Sequence, residues 1–236
     1  MQGKKWLIIS AVFIFFLSML SYSLAREDGM KWRELPKDNL LRQAELFNGH
    51  KVLQSIFLFP EEDFDEKEAL RIGEKIDGLP DSLLEKTAES GVRIKLFQGS
   101  LTENQSAAKL KGQTPRGYLN KKTTWDDVPG MGGSHTVLVK IGASDKGNGH
   151  GSVNLELHEL AHSIDTIVFD GIRENVDYLA IWGKEVDGLF PGQSYFTNYP
   201  EEYFAETFAM FYVNAEQNHL LKRKAPETYQ FIKQLD

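Results

Sequence analysis

The chain has 236 residues, no cysteine and a formal net charge of −7 at pH 7. The lack of thiols excludes disulfides and a lipid-modified cysteine anchor. The acidic balance argues against nucleic-acid binding and against tight adhesion to an anionic surface, and the length allows one sizeable domain.

Lys4 and Lys5 precede an apolar run from Trp6 to Leu20 that is interrupted only by Ser10 and Ser18. Ser23 and Ala25 then offer small residues at positions −3 and −1 of a cleavage site. This is the pattern of a secretory signal over residues 1–25, so the expected location is extracellular. An uncleaved membrane anchor through residues 6–24 is the competing reading, because the run nearly reaches spanning length. Removing residues 1–25 takes away two lysines and no acid, which moves the charge to −9.

Residues 26–50 form a polar N-terminal extension with Leu40, Leu41, Ala44 and Phe47 at helical spacing. Residues 52–59 (VLQSIFLF) read as a strand ended by Pro60. Helices are expected over 65–77 and 80–90, split by Gly78-Leu79-Pro80. Residues 92–97 alternate apolar and basic side chains, as a half-buried strand does. Residues 98–134 are rich in Gly, Thr, Asn and Pro, too long for a plain connector and therefore a candidate functional loop. Residues 136–141 read as a further strand. Helices then follow over 153–168, 173–187, 200–216 and 226–235, with Gly188, Pro191 and Gly192 breaking the chain. The expected class is α+β: a small β-sheet with helices, followed by a helical half.

The most specific chemistry lies in His158-Glu159-Leu160-Ala161-His162. Positions i and i+4 share one helix face, so both imidazoles can reach one metal ion, with the Glu159 carboxylate beside a water on that ion. This HExxH pattern is that of zinc peptidases. Alone it is also compatible with two ordinary helical histidines and a solvated acid. Val153, Leu155, Leu157, Leu160, Ala161 and Ile164 make the surrounding helix a packed one, and Ser152 or Asn154 can cap it. Catalytic zinc takes three protein ligands and leaves a position open. Asp165 is one source of the third ligand, although at three residues past His162 it more readily supports a ligand than becomes one. Pro200 opens a later helix in which Glu202 and Glu206 lie one turn apart. Acids in a first turn often only complement the helix dipole. Glu206 lies deeper, among Tyr203, Phe204, Phe208, Phe211 and Tyr212, where a carboxylate needs a partner.

Residues 154–162 (NLELHELAH) and 194–208 (SYFTNYPEEYFAETF) resemble the catalytic domain of anthrax lethal factor and the secreted bacterial Pro-Pro endopeptidases. Residues 225–232 (APETYQFI) resemble the end of that catalytic domain. Thr114-Pro115-Arg116-Gly117, Trp125-Asp126-Asp127-Val128-Pro129-Gly130 and residues 147–152 resemble segments of the smaller secreted members. The resemblance spans roughly residues 50–236. It implies a zincin-like domain over 51–236, with one Zn2+ held by His158, His162 and Glu202. It further implies Glu159 as general base, Tyr195 as catalytic tyrosine and Glu206 as the acid that orients a ligating histidine. Tyr199 is the local rival of Tyr195.

The implied activity is that of a secreted metalloendopeptidase acting through a zinc-activated water. Its partner would be an extended peptide or protein substrate, proline-containing by the resemblance, laid beside a sheet edge. The Gly130–His135 loop, with Gly132 and Gly133, is a candidate part of that edge. Trp125 is a candidate to stack on a substrate proline or, equally, a core residue. His135, His150 and His219 lack ligand spacing. The separate carrier-binding and delivery domains of lethal factor have no room in this chain, so a self-delivering toxin is not expected; a monomer is. Competing readings are a non-catalytic zinc- or peptide-binding module, an anchored envelope protein, and a proenzyme whose residues 26–50 are a prosegment.

Overall fold

A computed structural model describes residues 29–116 and 122–235. The expected signal over 1–25 and Gly117 of the Thr-Pro-Arg-Gly motif lie outside the described residues.

Five strands form one sheet in the order β1-β2-β3-β5-β4. They are β1 (Met30–Lys31), β2 (Phe57–Phe59), β3 (Arg93–Phe97), β4 (Gly130–Met131) and β5 (Thr136–Lys140). The central β2, β3 and β5 run parallel, while the edge strands β1 and β4 are antiparallel to their neighbours. Parallel strands need both faces covered. On one face Ile94 and Leu96 register with Val137 and Val139, and all four are fully buried in the main core. On the other, Phe97 and Leu138 meet Leu101, Ala107 and Val128 in a second, smaller cluster. Described residues of the 98–134 segment therefore cover that face, with short 3-10 turns at Leu101–Glu103 and Ala108–Leu110.

Eleven α-helices complete the described residues. Three short ones precede the second strand: α1 (Leu40–Gln43), α2 (Glu45–Gly49) and α3 (Lys51–Ile56). α4 (Glu66–Asp77) and α5 (Asp81–Glu89) cross from β2 to β3. α6 (Leu155–Ser163), α7 (Val176–Leu189), α8 (Ser194–Asn198), α9 (Pro200–Val213), α10 (Ala215–Lys224) and α11 (Pro226–Lys233) make the helical half.

Several expectations need correction. The strand expected over 52–59 is helix α3 up to Ile56 and strand only over Phe57–Phe59. Leu53 and Ile56 are buried at helical spacing, and a short continuous apolar run does not distinguish the two states. The helix expected over 200–216 stops at Val213, because Asn214 turns extended and its side chain accepts from Gln217 N at 2.9 Å, capping a separate α10. Described residues before position 50 also join the sheet and the core. Met30 pairs with Phe59, Trp32 Nε1 donates to Leu41 O at 2.9 Å, and Trp32, Leu41 and Phe47 join the main core.

Polar groups fasten the helical half. Buried Glu185 accepts from Glu227 N at 2.9 Å and from Thr228 N at 2.8 Å, satisfying donors left open at the start of α11. Tyr178 Oη donates to Pro200 O at 2.6 Å where α9 begins. After Ser163 the helix widens into one π turn, Ile164–Val168. Buried Asp165 in that turn accepts from Arg173 N at 2.9 Å and pairs with the Arg173 guanidinium. That engagement removes Asp165 from the set of candidate ligands.

Candidate metal centre

Asn154 starts α6 by accepting a hydrogen bond from Leu157 N at 3.0 Å. The cap sets the helical phase, so His158 and His162 project together, their ring centroids 4.9 Å apart. α9 begins with Pro200 at its first position, where a fixed φ and a missing N–H suit a helix start. α6 and α9 share the most extensive helix–helix contact among the described residues. Fully buried Ala161, Ala205 and Ala209 keep side-chain bulk low on these helices.

That packing brings Glu202 to the histidines. Its Oε2 lies 3.3 Å from His158 Nε2 and 3.4 Å from His162 Nε2. One ligand atom from each of His158, His162 and Glu202 lies within 4.8 Å of the others. Bonds of about 2.0–2.1 Å to a tetrahedral ion place neighbouring ligand atoms about 3.3 Å apart, so the two short spacings fit zinc. Two imidazoles and one carboxylate also leave a fourth position for a reactant. Behind them, Glu206 Oε2 lies 3.2 Å from His158 Nδ1, and its Oε1 accepts from Val153 N at 3.1 Å. A ligating histidine is ordinarily held in this way through its other nitrogen.

The charges respond to burial and to one another. Burial alone would lower the His158 pKa, but hydrogen bonds to Glu202 and Glu206 outweigh it and push it up to about 10. Burial would raise Glu202, yet its bonds to His158 and His162 hold it well below the carboxylate range. Glu206 is lowered for the same kind of reason, chiefly by His158 against the burial effect. Glu159 goes the other way: burial raises it, and the charges of His158 and His162 only partly compensate.

The 130–134 stretch lies against α6. A Cβ on Gly132 would sit 1.9 Å from Glu159 O, so no other residue fits there without a backbone shift. The Gly132 backbone also hydrogen-bonds the Glu159 side chain. Gly133 N donates to Ser163 Oγ at 3.0 Å, and that hydroxyl donates to Ser134 O at 2.7 Å. The close approach expected of these glycines is thus to the helix that bears the histidines. Tyr195 lies on α8, just before α9, with its ring 5.7 Å from that of Tyr199. Trp125 is half-buried against the second cluster, and that packing accounts for its burial.

Arg116 went unrecognised in the sequence as a member of this neighbourhood. It pairs with Glu201, approaches Glu202 Oε1 at 3.9 Å and lies over the Tyr199 ring, 4.3 Å from its centroid. The available signal was its place in the Thr-Pro-Arg-Gly stretch, which bears no metal-ligand spacing.

The chain resembles known proteins in sequence and in fold. Residues 44–235 match the family described as anthrax toxin lethal factor, N- and C-terminal domain. A Pro-Pro endopeptidase of Clostridioides difficile is 37% identical over 235 residues, covering 100% of this chain and 99% of the relative. A Pro-Pro endopeptidase of Paenibacillus alvei is 36% identical over 184 residues, covering 78% of this chain and 84% of the relative. The solved structure of the Paenibacillus alvei Pro-Pro endopeptidase superimposes with a TM-score of 0.74, over 78% of this chain and 100% of that one. Fold and site together define a peptidase, a hydrolase of peptide bonds, on a zincin-like α+β scaffold. The chain belongs to the anthrax lethal factor family and is similar to its Pro-Pro endopeptidases.

Proposed function

We propose that this protein is a secreted zinc metalloendopeptidase that cuts proline-containing peptides. The observation that carries the reading is the convergence of His158, His162 and Glu202 at tetrahedral spacings beside Glu159. One bound zinc per chain would supply a Lewis acid that acidifies water and polarises the scissile carbonyl. Glu159 takes the proton of the attacking water and passes it to the leaving nitrogen. Its raised pKa brings it closer to the range in which a carboxyl can both accept and return a proton. Glu206 keeps the His158 ring oriented, and Tyr195 donates its phenol proton to the developing oxyanion.

The substrate lies along the outer edge of β4, the last strand of the sheet, as an added strand. Gly132 and Gly133 hold that edge close to Glu159. Preference for proline is carried over from the relatives' names. Residues 1–25 serve as the export signal, and the mature protein acts as a monomer outside the cell.

The test is cleavage of a diverse, proline-enriched peptide library by residues 26–236, with Glu159→Gln alongside. The parent is expected to cut next to proline, and Glu159→Gln to lose about 100-fold to 10,000-fold in kcat while still binding zinc. Full activity in Glu159→Gln would remove that residue from its role. No cleavage by either, with zinc bound, would point to a zinc- or peptide-binding module instead.

A further inference from the structure

The described residues between Gln98 and Ser134 form only short elements, yet one carboxylate gathers several of them. Asp126 accepts from Thr102 Oγ1, from Gly112 N at 2.7 Å and from Thr124 Oγ1 at 3.1 Å. Its carbonyl accepts from Ser100 Oγ at 3.0 Å. On one side Trp125 N donates to Gln113 O at 2.8 Å, and on the other Asp127 accepts from Thr124 N at 3.0 Å. Residues 112–113 and 124–127 are thereby drawn together as a neck. The hydrogen bond from Thr102, then the one from Gly112, holds the Asp126 carboxyl below its ordinary pKa, so it is the ionised acceptor that ties the neck.

Arg116 leaves this neck on a short, stiff arm. Only Thr114 and Pro115 separate it from Gln113, so the three chain steps span at most about 11 Å. Pro115 has its φ fixed, and Thr114 before it is driven to extended geometry. An arm with so little freedom transmits any shift of the neck to the guanidinium. The far end contacts Glu201 and Tyr199 on the start of α9 and lies 3.9 Å from Glu202 Oε1.

We propose that Asp126 is a positioning residue for substrate binding: by tying the neck, its carboxylate places the Arg116 guanidinium over Tyr199 and Glu201 at the mouth of the metal site. The inference rests on the peptidase reading above. An amide at 126 would keep the shape but turn one accepting oxygen into a donor facing Gly112 N–H or the Thr102 hydroxyl. The neck would loosen, Arg116 would shift, and the metal ligands on α6 and α9 would stay where the core holds them.

The experiment is a double-mutant cycle on peptide cleavage with Asp126→Asn, Arg116→Ala and the pair. Zinc content and thermal unfolding are measured for each protein. Asp126→Asn is expected to raise KM by about 10-fold, with kcat and zinc content kept. In the Arg116→Ala background the same change should alter KM by less than about 2-fold. Thr102→Val removes one donor and should reproduce part of the effect, Thr102→Ser should restore it, and this pair carries the test should Asp126→Asn fail to fold. Additive losses in the cycle, or an unchanged KM in Asp126→Asn, would overturn the inference while leaving the peptidase intact. A parent protein that binds zinc and cleaves nothing would overturn both.

Discussion

On one face of the sheet Ile94, Leu96, Val137 and Val139 join a core that continues through α6 and α9 to Phe204 and Phe208. On the other, among the described residues, Phe97 and Leu138 meet Leu101, Ala107 and Val128, with half-buried Leu110, Trp125 and Met131 at the margin. The first face carries His158, His162 and Glu202 on helices fixed by apolar packing. The second is a thin apolar layer under a segment shaped mainly by hydrogen bonds to Asp126. The contrast assigns different work to the two regions. Rigid packing fixes ligand spacings that tolerate little error, while a polar-tied loop presents Arg116 and can vary without unfolding the protein.

Truncating matched side chains on the two faces should separate them most clearly. Leu96→Ala in the main core is expected to destabilise by about 3–5 kcal/mol, because its surroundings cannot collapse. Leu138→Ala, its counterpart under the loop, should cost about 2–3 kcal/mol, since the thin layer can settle. Denaturant unfolding of both variants measures the difference, and equal losses would show that the second face is packed as firmly as the first. A smaller effect is expected at Glu206, whose carboxylate holds the His158 ring. Glu206→Gln should weaken zinc binding by about 10-fold to 100-fold, read by competition with a chromophoric chelator.

The pH dependence of the zinc-stripped protein probes the same cluster. His158 is raised from 6.5 to about 10 in the folded state, so the stability it contributes is complete below pH 6.5 and is lost as pH rises through about 10. Glu202 and Glu206 are lowered from 4.5, so their contribution is complete above pH 4.5 and is lost as pH falls through their folded values. The unfolding midpoint of stripped protein should therefore peak between pH 4.5 and 6.5. A midpoint that stays level from pH 6.5 to 10 would contradict a protonated His158 held between the two acids.

The grouping of His158, His162 and Glu202 was legible in the sequence as far as it is local. His158 and His162 share a face by helical spacing, as do Glu202 and Glu206, and only the meeting of the two helices is tertiary. The chain-order pattern of β3, β5, α4 and α5 was legible for the same reason, since each carries a clear period. Arg116 was not, because its partners lie 83 to 86 positions away in sequence and nothing local marks the contact. The helix-to-strand change at Phe57 escaped because Val52 to Phe59 is apolar at nearly every position. The break at Asn214 escaped because asparagine tolerates a helix and acts as a cap only once its backbone turns extended.

In the proposed function His158, His162 and Glu202 hold the zinc on which cleavage depends. This is tested most directly by elemental analysis of residues 26–236 and of His162→Ala, followed by chelator stripping and zinc add-back with a proline-containing peptide as substrate. The account expects one zinc per chain in the parent, its loss in His162→Ala, and cleavage that vanishes on stripping and returns with zinc. A parent that cleaves without metal, or a His162→Ala protein that keeps its zinc and its activity, would contradict it.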